Sequence, residues 1–287
     1  MRKKLTFSGH ETFYCRYLWL KKGYEFVKKN GSFRDEHATV KLGVGKNMVN
    51  SIRFWMIAFG IIDSKGFITP FAKTILDNRG FDPYLEQIGS VWLLHYNIIK
   101  TNYASIYSIF FNRFRRQYYE FSNEQFLSYL IGECKNDNFR YSENTLKSDI
   151  EILIKSYKKP DSKKALVEED YTSLLSELNL ISEVSVLNNS VFKAENFLID
   201  QLDINILLYA ILDNFENSIS ISIEDLLNGS IGNIFLLNKE NLNKKLIEAS
   251  EKYKKFISYK DDAGVKELQI KSDKLDKHKL LEDYYAN

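Results

Sequence analysis

Cysteine and proline are scarce in this chain, with two and three among 287 residues. The two thiols, Cys15 and Cys134, lie far apart and no Cys-x-x-Cys pair exists. That excludes a disulfide scaffold and a structural zinc site of four cysteines or of cysteine and histidine pairs. Few prolines and 13 glycines exclude collagen-like and Pro/Gly low-complexity chains. No apolar run approaches the roughly 18–20 residues of a membrane helix. The basic start Met1-Arg2-Lys3-Lys4 is followed almost at once by Ser8-Gly9-His10-Glu11, not by the apolar core of a secretory signal. These absences point to a cytoplasmic protein in a reducing environment, with no membrane partner.

What is present is a divided charge. Residues 1–120 hold 19 Lys and Arg against 9 Asp and Glu, and residues 121–287 hold 21 against 29. The first part is therefore +10 and the second −8, which hides inside a net +2. A basic N-terminal part suits a polyanion partner, most often nucleic acid. Length and composition suggest a basic domain over 1–120, a helical linker module over 121–160 and a C-terminal domain over 161–287. The Pro160-containing, lysine-rich stretch Lys155–Lys164 marks the last boundary.

Residues 35–76 are the most readable. A short helix is expected over Asp35–Leu42, then a Gly43-Val44-Gly45 turn, then a helix from Lys46 to Phe59. Met48, Val49, Ile52, Met56 and Phe59 form one apolar stripe, while Lys46, Asn50 and Arg53 form a polar stripe on another face. Gly60 closes the helix. Ile61-Ile62 and Phe67-Ile68 flank Asp63-Ser64-Lys65-Gly66 as a hairpin, and Thr69-Pro70 caps and starts the next helix. Helix, turn, helix, hairpin, helix is the order of a winged helix-turn-helix. The fold expected is mainly α, with winged helix-turn-helix modules and short β-hairpins.

Elsewhere the pattern is coarser. Residues 18–27 supply a helix through Leu18, Leu20, Tyr24 and Val27. Residues 82–118 are helical and aromatic, with Asp82 as N-cap, Pro83 in the first turn, and Arg113, Arg115 and Arg116 at the end. Ser122 and Ser142 can each cap a helix. Leu174 to Ile181 suggests a helix, and residues around Asn188-Asn189-Ser190 a hairpin. Further helices are expected over Leu202–Phe215, Ser220–Leu227 and Lys239–Tyr253. A second hairpin is expected around Asp261-Asp262-Ala263-Gly264, and the last dozen residues should fray.

Several residues could carry chemistry. Asn47, Asn50 and Arg53 suit base edges in a major groove, and Lys46, Lys65, Arg113, Arg115 and Arg116 suit phosphates of double-stranded DNA. A winged helix used only for protein contacts would show the same polar face. His10 beside Glu11 could act as general base or metal ligand, or form a hydrogen-bond cluster at the head of a helix. Adjacent residues of an extended segment face opposite ways, so the two need not converge. A Mg²⁺ site could assemble from Glu11, Asp82 and Glu86 only by spatial convergence. Cys15, near His10, is a reactive thiol or simply a buried one. Gly43-Val44-Gly45-Lys46-Asn47 lacks the GxxxxGK[ST] spacing and a preceding apolar strand, so no nucleotide cofactor is expected.

The stretches FSGHETF (Phe7–Phe13), Arg16 with Trp19-Leu20-Lys21-Lys22-Gly23, LGVGKNMVNSIRFW (Leu42–Trp55), ITP (Ile68–Pro70) and DPYLE with WLLHY (Asp82–Tyr96) resemble a bacterial domain-of-unknown-function family. It is the family containing the SspB-type protein of single-strand DNA phosphorothioation systems. The resemblance covers roughly residues 5–118. It implies a DNA-directed role in phosphorothioate modification and phage defence, beside a sulfur-transfer partner resembling phosphoadenosine-phosphosulfate reductase. It also implies a nicking activity with Mg²⁺ or Mn²⁺. The matched polar positions are His10, Glu11, Lys46, Asn47, Arg53, Asp82, Glu86 and His95, and Gln87-Ile88-Gly89 departs from the family pattern. A nickase, a noncatalytic DNA-binding adaptor or transcriptional regulator, and a protein–protein scaffold all remain open.

Overall fold

The computed structural model describes residues 5–159, 173–186, 189–196, 198–216, 218–262, 265–271 and 275–286. They fall into two units, Met1–Glu195 and Asn196–Asn287. Both are mainly helical with a small antiparallel sheet. Among the described residues no helix is long and apolar enough to cross a membrane.

The N-terminal unit begins with α1 (Trp19–Lys28), α2 (Ala38–Leu42), α3 (Lys46–Ala58) and α4 (Pro70–Leu76). The α2 helix is shorter than expected, because Asp35 turns back to accept the His37 N–H at 2.9 Å. Gly43 ends it at φ 63°, a left-handed conformation that glycine adopts without strain. The expected stripe then folds as α3: Val49, Ile52, Met56 and the following Phe59 are buried. Gly60 follows at φ 68°. Asp63 closes the hairpin turn by accepting the N–H groups of Lys65 and Phe67, each at 2.9 Å, and Ile62 bridges Ile68. Thr69 caps α4 through the Ala72 N–H at 3.1 Å, with Pro70 in the first turn.

The next helix, α5 (Ile88–Thr101), starts five residues later than Pro83. Asp82 is not its N-cap: it is buried, and its carboxylate accepts from the Glu86 and Gln87 N–H groups and the Ser90 hydroxyl at 2.6–2.9 Å. Leu85 takes a left-handed φ of 60° while its side chain is buried. Then come α6 (Ser105–Ile109), a π-helical turn over Phe110–Phe114, β1 (Glu120–Phe121), α7 (Asn123–Asn136) and α8 (Glu143–Tyr157). Ser122 caps α7 reciprocally with Gln125, whereas Ser142 makes no side-chain cap. Leu174–Leu178 is a 3₁₀ turn, and Ile181, expected in a helix, opens β2 (Ile181–Val186) against β3 (Asn189–Ala194). The order β1-β3-β2 draws residue 120 to the 190s, so the division falls after Glu195 and not at 120 or 160. Residues 160–164 of the expected boundary, and Asn188 of the hairpin, lie outside the described residues.

In the C-terminal unit, α9 (Ile204–Asn214) is capped by Asp203 on the Asn205 N–H at 2.7 Å. There follow β4 (Ser220–Ser222), α10 (Ile223–Asn228), α11 (Ser230–Ile234), α12 (Lys239–Lys252), β5 (Ile257–Asp262) and β6 (Val265–Ile270). The sheet order is β4-β6-β5. Ala263 and Gly264 of the expected turn lie outside the described residues. The chain's end does not fray as expected: α13 (Lys277–Tyr285) buries Leu280 and Leu281 and packs on α9.

Candidate nucleic-acid interface

The α3 helix has two unlike faces because its sequence does. Trp55, Ile52 and Phe54 are buried, while Lys46, Asn47 and Asn50 are exposed and Arg53 is half-buried. Lys46 and Arg53 make no ion pair among the described residues. Lys65, at the hairpin tip, is exposed and carries an unpaired ammonium as well. The arginine cluster is less available than its sequence suggests. Arg113 is paired with Glu133, Arg115 is half-buried with its Nε lacking a hydrogen-bond partner, and Arg116 is exposed.

The segment Phe7–Phe13 lies against α3. Three of its non-glycine residues, Ser8, Glu11 and Thr12, have left-handed φ of 64°, 49° and 65°. Such conformations cost about 1 kcal/mol or more each and persist only where the surroundings hold them. The holding groups are visible. His10 is 3% exposed; its Nε2 meets Asp149 Oδ1 at 2.9 Å, and its Nδ1 accepts from the Thr12 N–H at 3.2 Å. The Nδ1 is thereby an acceptor, so the Nε2 proton is donated to Asp149. Asp149 also accepts the Ser8 N–H at 3.1 Å on both oxygens. The imidazole stacks on Trp55 at 6.0 Å, and the Trp55 indole donates to the Phe13 carbonyl at 3.0 Å. Gly9 passes so close to Phe54 that an added Cβ would lie 2.1 Å from its ring.

His10 and Glu11 therefore diverge. His10 points inward, with both ring nitrogens engaged. Glu11 stays half-exposed beside α3, where Asn50 Nδ2 donates to its Oε1 at 3.3 Å. The expected convergence of Glu11 with Asp82 and Glu86 does not occur, since Asp82 is occupied by its own loop. His95 is sealed in the core, its Nδ1 2.7 Å from the Tyr157 hydroxyl. Among the described residues no three His, Cys, Asp or Glu side chains converge as metal ligands. The chain's own residues thus do not assemble a metal centre, and no chemical step is derived through one. Cys15 and Cys134 are buried, and burial pushes both thiols up from their ordinary pKa.

Sequence reasoning missed Asp149. Its signal was an acidic residue inside the apolar stripe Leu146, Ile150 and Leu153 of α8, a position that demands a buried partner.

A mainly helical protein with one exposed polar helix, flanked by a pinned N-terminal loop and a short hairpin, is the class these features define. The chain belongs to the family described as "Protein of unknown function (DUF4007)", which matches residues 7–285. It is similar to the magnesium ion-bound SspB crystal structure, with 26% identity and a TM-score of 0.86 over 98% of this chain and 88% of that one. A second SspB crystal structure matches at 27% identity and a TM-score of 0.85, with the same coverage. No curated protein matches the chain.

Proposed function

We propose that the chain is the DNA-binding component of a DNA phosphorothioate modification and phage-defence system, and that it docks double-stranded DNA through α3. The observation that carries this is the α3 surface: Lys46, Asn47, Asn50 and Arg53 face outward from a helix whose other side is core. Two of its cations are unpaired, as is Lys65 on the hairpin. The order α2, glycine turn, α3, hairpin, α4 supports a winged helix-turn-helix, and the sequence α9, β4, α10, α12, β5-β6 hairpin supports a second module of that kind. Likeness to SspB structures supports the system, with its sulfur-transfer protein as partner.

On this reading Lys46 and Lys65 hold phosphates, while Asn47, Asn50 and Arg53 meet base edges. Glu11 is the carboxylate at this face, and a nicking role, with the Mg²⁺ or Mn²⁺ the family resemblance implies, draws on it. His10 positions the loop and touches no substrate.

A salt titration of binding to a short duplex tests the proposal. The double substitution Lys46→Ala, Arg53→Ala should weaken binding and reduce the log–log salt slope by about 2, at ~0.9 per lost phosphate contact. Unchanged affinity and slope would remove α3 from the interface and favour a protein–protein scaffold. Supercoiled plasmid with Mg²⁺ or Mn²⁺ then separates a nickase from an adaptor or regulator. Nicking that is lost in Glu11→Gln supports the first, and binding without nicking supports the second.

A further inference from the structure

A groove of about 670 Å³ lies in the N-terminal unit, walled by α1 and α2 and by Tyr84 of the loop before α5. Its floor is carbon: Leu18, Phe26 and Leu42 line it. Leu18 is 51% exposed and Tyr84 56%, high values for large apolar side chains. Its wall is cationic, and most of that charge is spoken for. Lys21 is buried, with its ammonium donating to Glu25, to the Leu76 carbonyl and to Asn78 at 2.9, 2.9 and 3.1 Å. It also holds the Tyr84 ring in place from 5.4 Å. Lys41 is paired with Asp35 at 2.7 Å. Lys22 and Lys29 are left: both are exposed, and their ammonium groups have no partner among the described residues.

We propose that this groove docks an extended acidic peptide segment of a partner protein, anchored by one or two apolar side chains. Charge and shape both favour that occupant. Leu18, Lys22 and Lys29 follow at i, i+4 and i+11, so they share one face of α1 and its last turn. Lys22 and Lys29 stand about 10 Å apart along the axis, at 1.5 Å per residue. Carboxylates three residues apart on an extended chain, at ~3.4 Å per residue, span the same distance. The side chains between them would lie over Leu18 and Phe26 against the pre-positioned Tyr84 ring. A nucleic-acid backbone would satisfy the two lysines but leave the carbon floor uncovered. The groove lies on a different set of residues from the α3 surface and stands independently of the DNA reading.

The test is selection of nine-residue peptides from a random displayed library on the full chain. The selected peptides should carry Asp or Glu on either side of an aliphatic or aromatic residue. They should bind a Lys22→Glu, Lys29→Glu variant at least about tenfold more weakly, which is the loss of roughly 1.4 kcal/mol of charge pairing. Tyr84→Ala should also weaken them. All three positions are exposed, and unchanged melting temperatures would confirm intact folding. Lys46→Ala, Arg53→Ala should bind the peptides as the natural chain does, which separates this site from the DNA face. The proposal is overturned by a selection without an acidic consensus, or by peptides that bind the charge-reversed variant undiminished. It is equally overturned if a DNA oligonucleotide displaces the peptides and itself loses affinity in that variant.

Discussion

Replacing His10 with alanine should unfasten the N-terminal loop from the rest of its unit. The imidazole donates to the buried Asp149 at 2.9 Å and stacks on Trp55. Losing a hydrogen bond to a buried carboxylate costs about 1.5–3 kcal/mol. Losing the aromatic contacts adds roughly 0.5–1.5 kcal/mol. Detachment of the loop would release the left-handed strain at Ser8, Glu11 and Thr12, and so limits the net loss to about 2–4 kcal/mol. For a unit of this size each kcal/mol moves the midpoint by about 2–4 °C, so a fall of roughly 4–16 °C is expected. Thermal unfolding followed by tryptophan fluorescence is the assay, since Trp55 lies against the ring that is removed. Asp149→Asn, which keeps the shape but not the charge, should lower the midpoint by less. If His10→Ala melts with the natural chain, the pinned-loop argument is wrong and His10 becomes available for chemistry again.

Other outcomes follow from the same coordinates. Gly9→Ala should destabilise by about 1–3 kcal/mol through its clash with Phe54, and the added proteolysis of residues before α1 would show it. Both thiols are raised by burial, so iodoacetamide at pH 8 should label Cys15 and Cys134 slowly in the native protein and fast in denaturant. Rapid native labelling, read by mass spectrometry, would contradict their burial. Hydrogen bonds from Lys28 and then Tyr24 hold the Asp77 carboxyl well below its ordinary value. A depressed folded pKa means the contribution is full above the unfolded value of about 3.9 and fades as pH falls through the folded one. The midpoint deficit of Asp77→Asn should therefore be constant near neutrality and shrink below about pH 4. A deficit that grows in acid would reverse the assignment.

The parts that could be read in advance are those governed by local rules. The α3 stripe, the left-handed glycine at 43, the Thr69-Pro70 start and the Ser122 cap all depend on neighbours within a few residues. Residues 82–88 could not be read that way. Asp82 followed by Pro83 has every mark of a helix start, yet burial of Leu85 forces a left-handed turn and delays α5 to Ile88. His10 posed the same difficulty over a longer range, for its partner Asp149 is 139 positions away. The boundary after Lys155 was inferred from composition. The pairing of Phe121 with Phe192 overrides it, because a strand must find its ladder wherever the chain supplies one.

That two-residue strand has a consequence for synthesis. During translation, a chain that has emerged only as far as Tyr157 already contains the α3 surface and the His10–Asp149 clasp. It still lacks the edge onto which Glu120 and Phe121 must zip, because β3 is made last. The basic half of the molecule therefore waits, unfinished, until Ala194 has left the ribosome, and early termination anywhere before that point yields a fragment with an open seam.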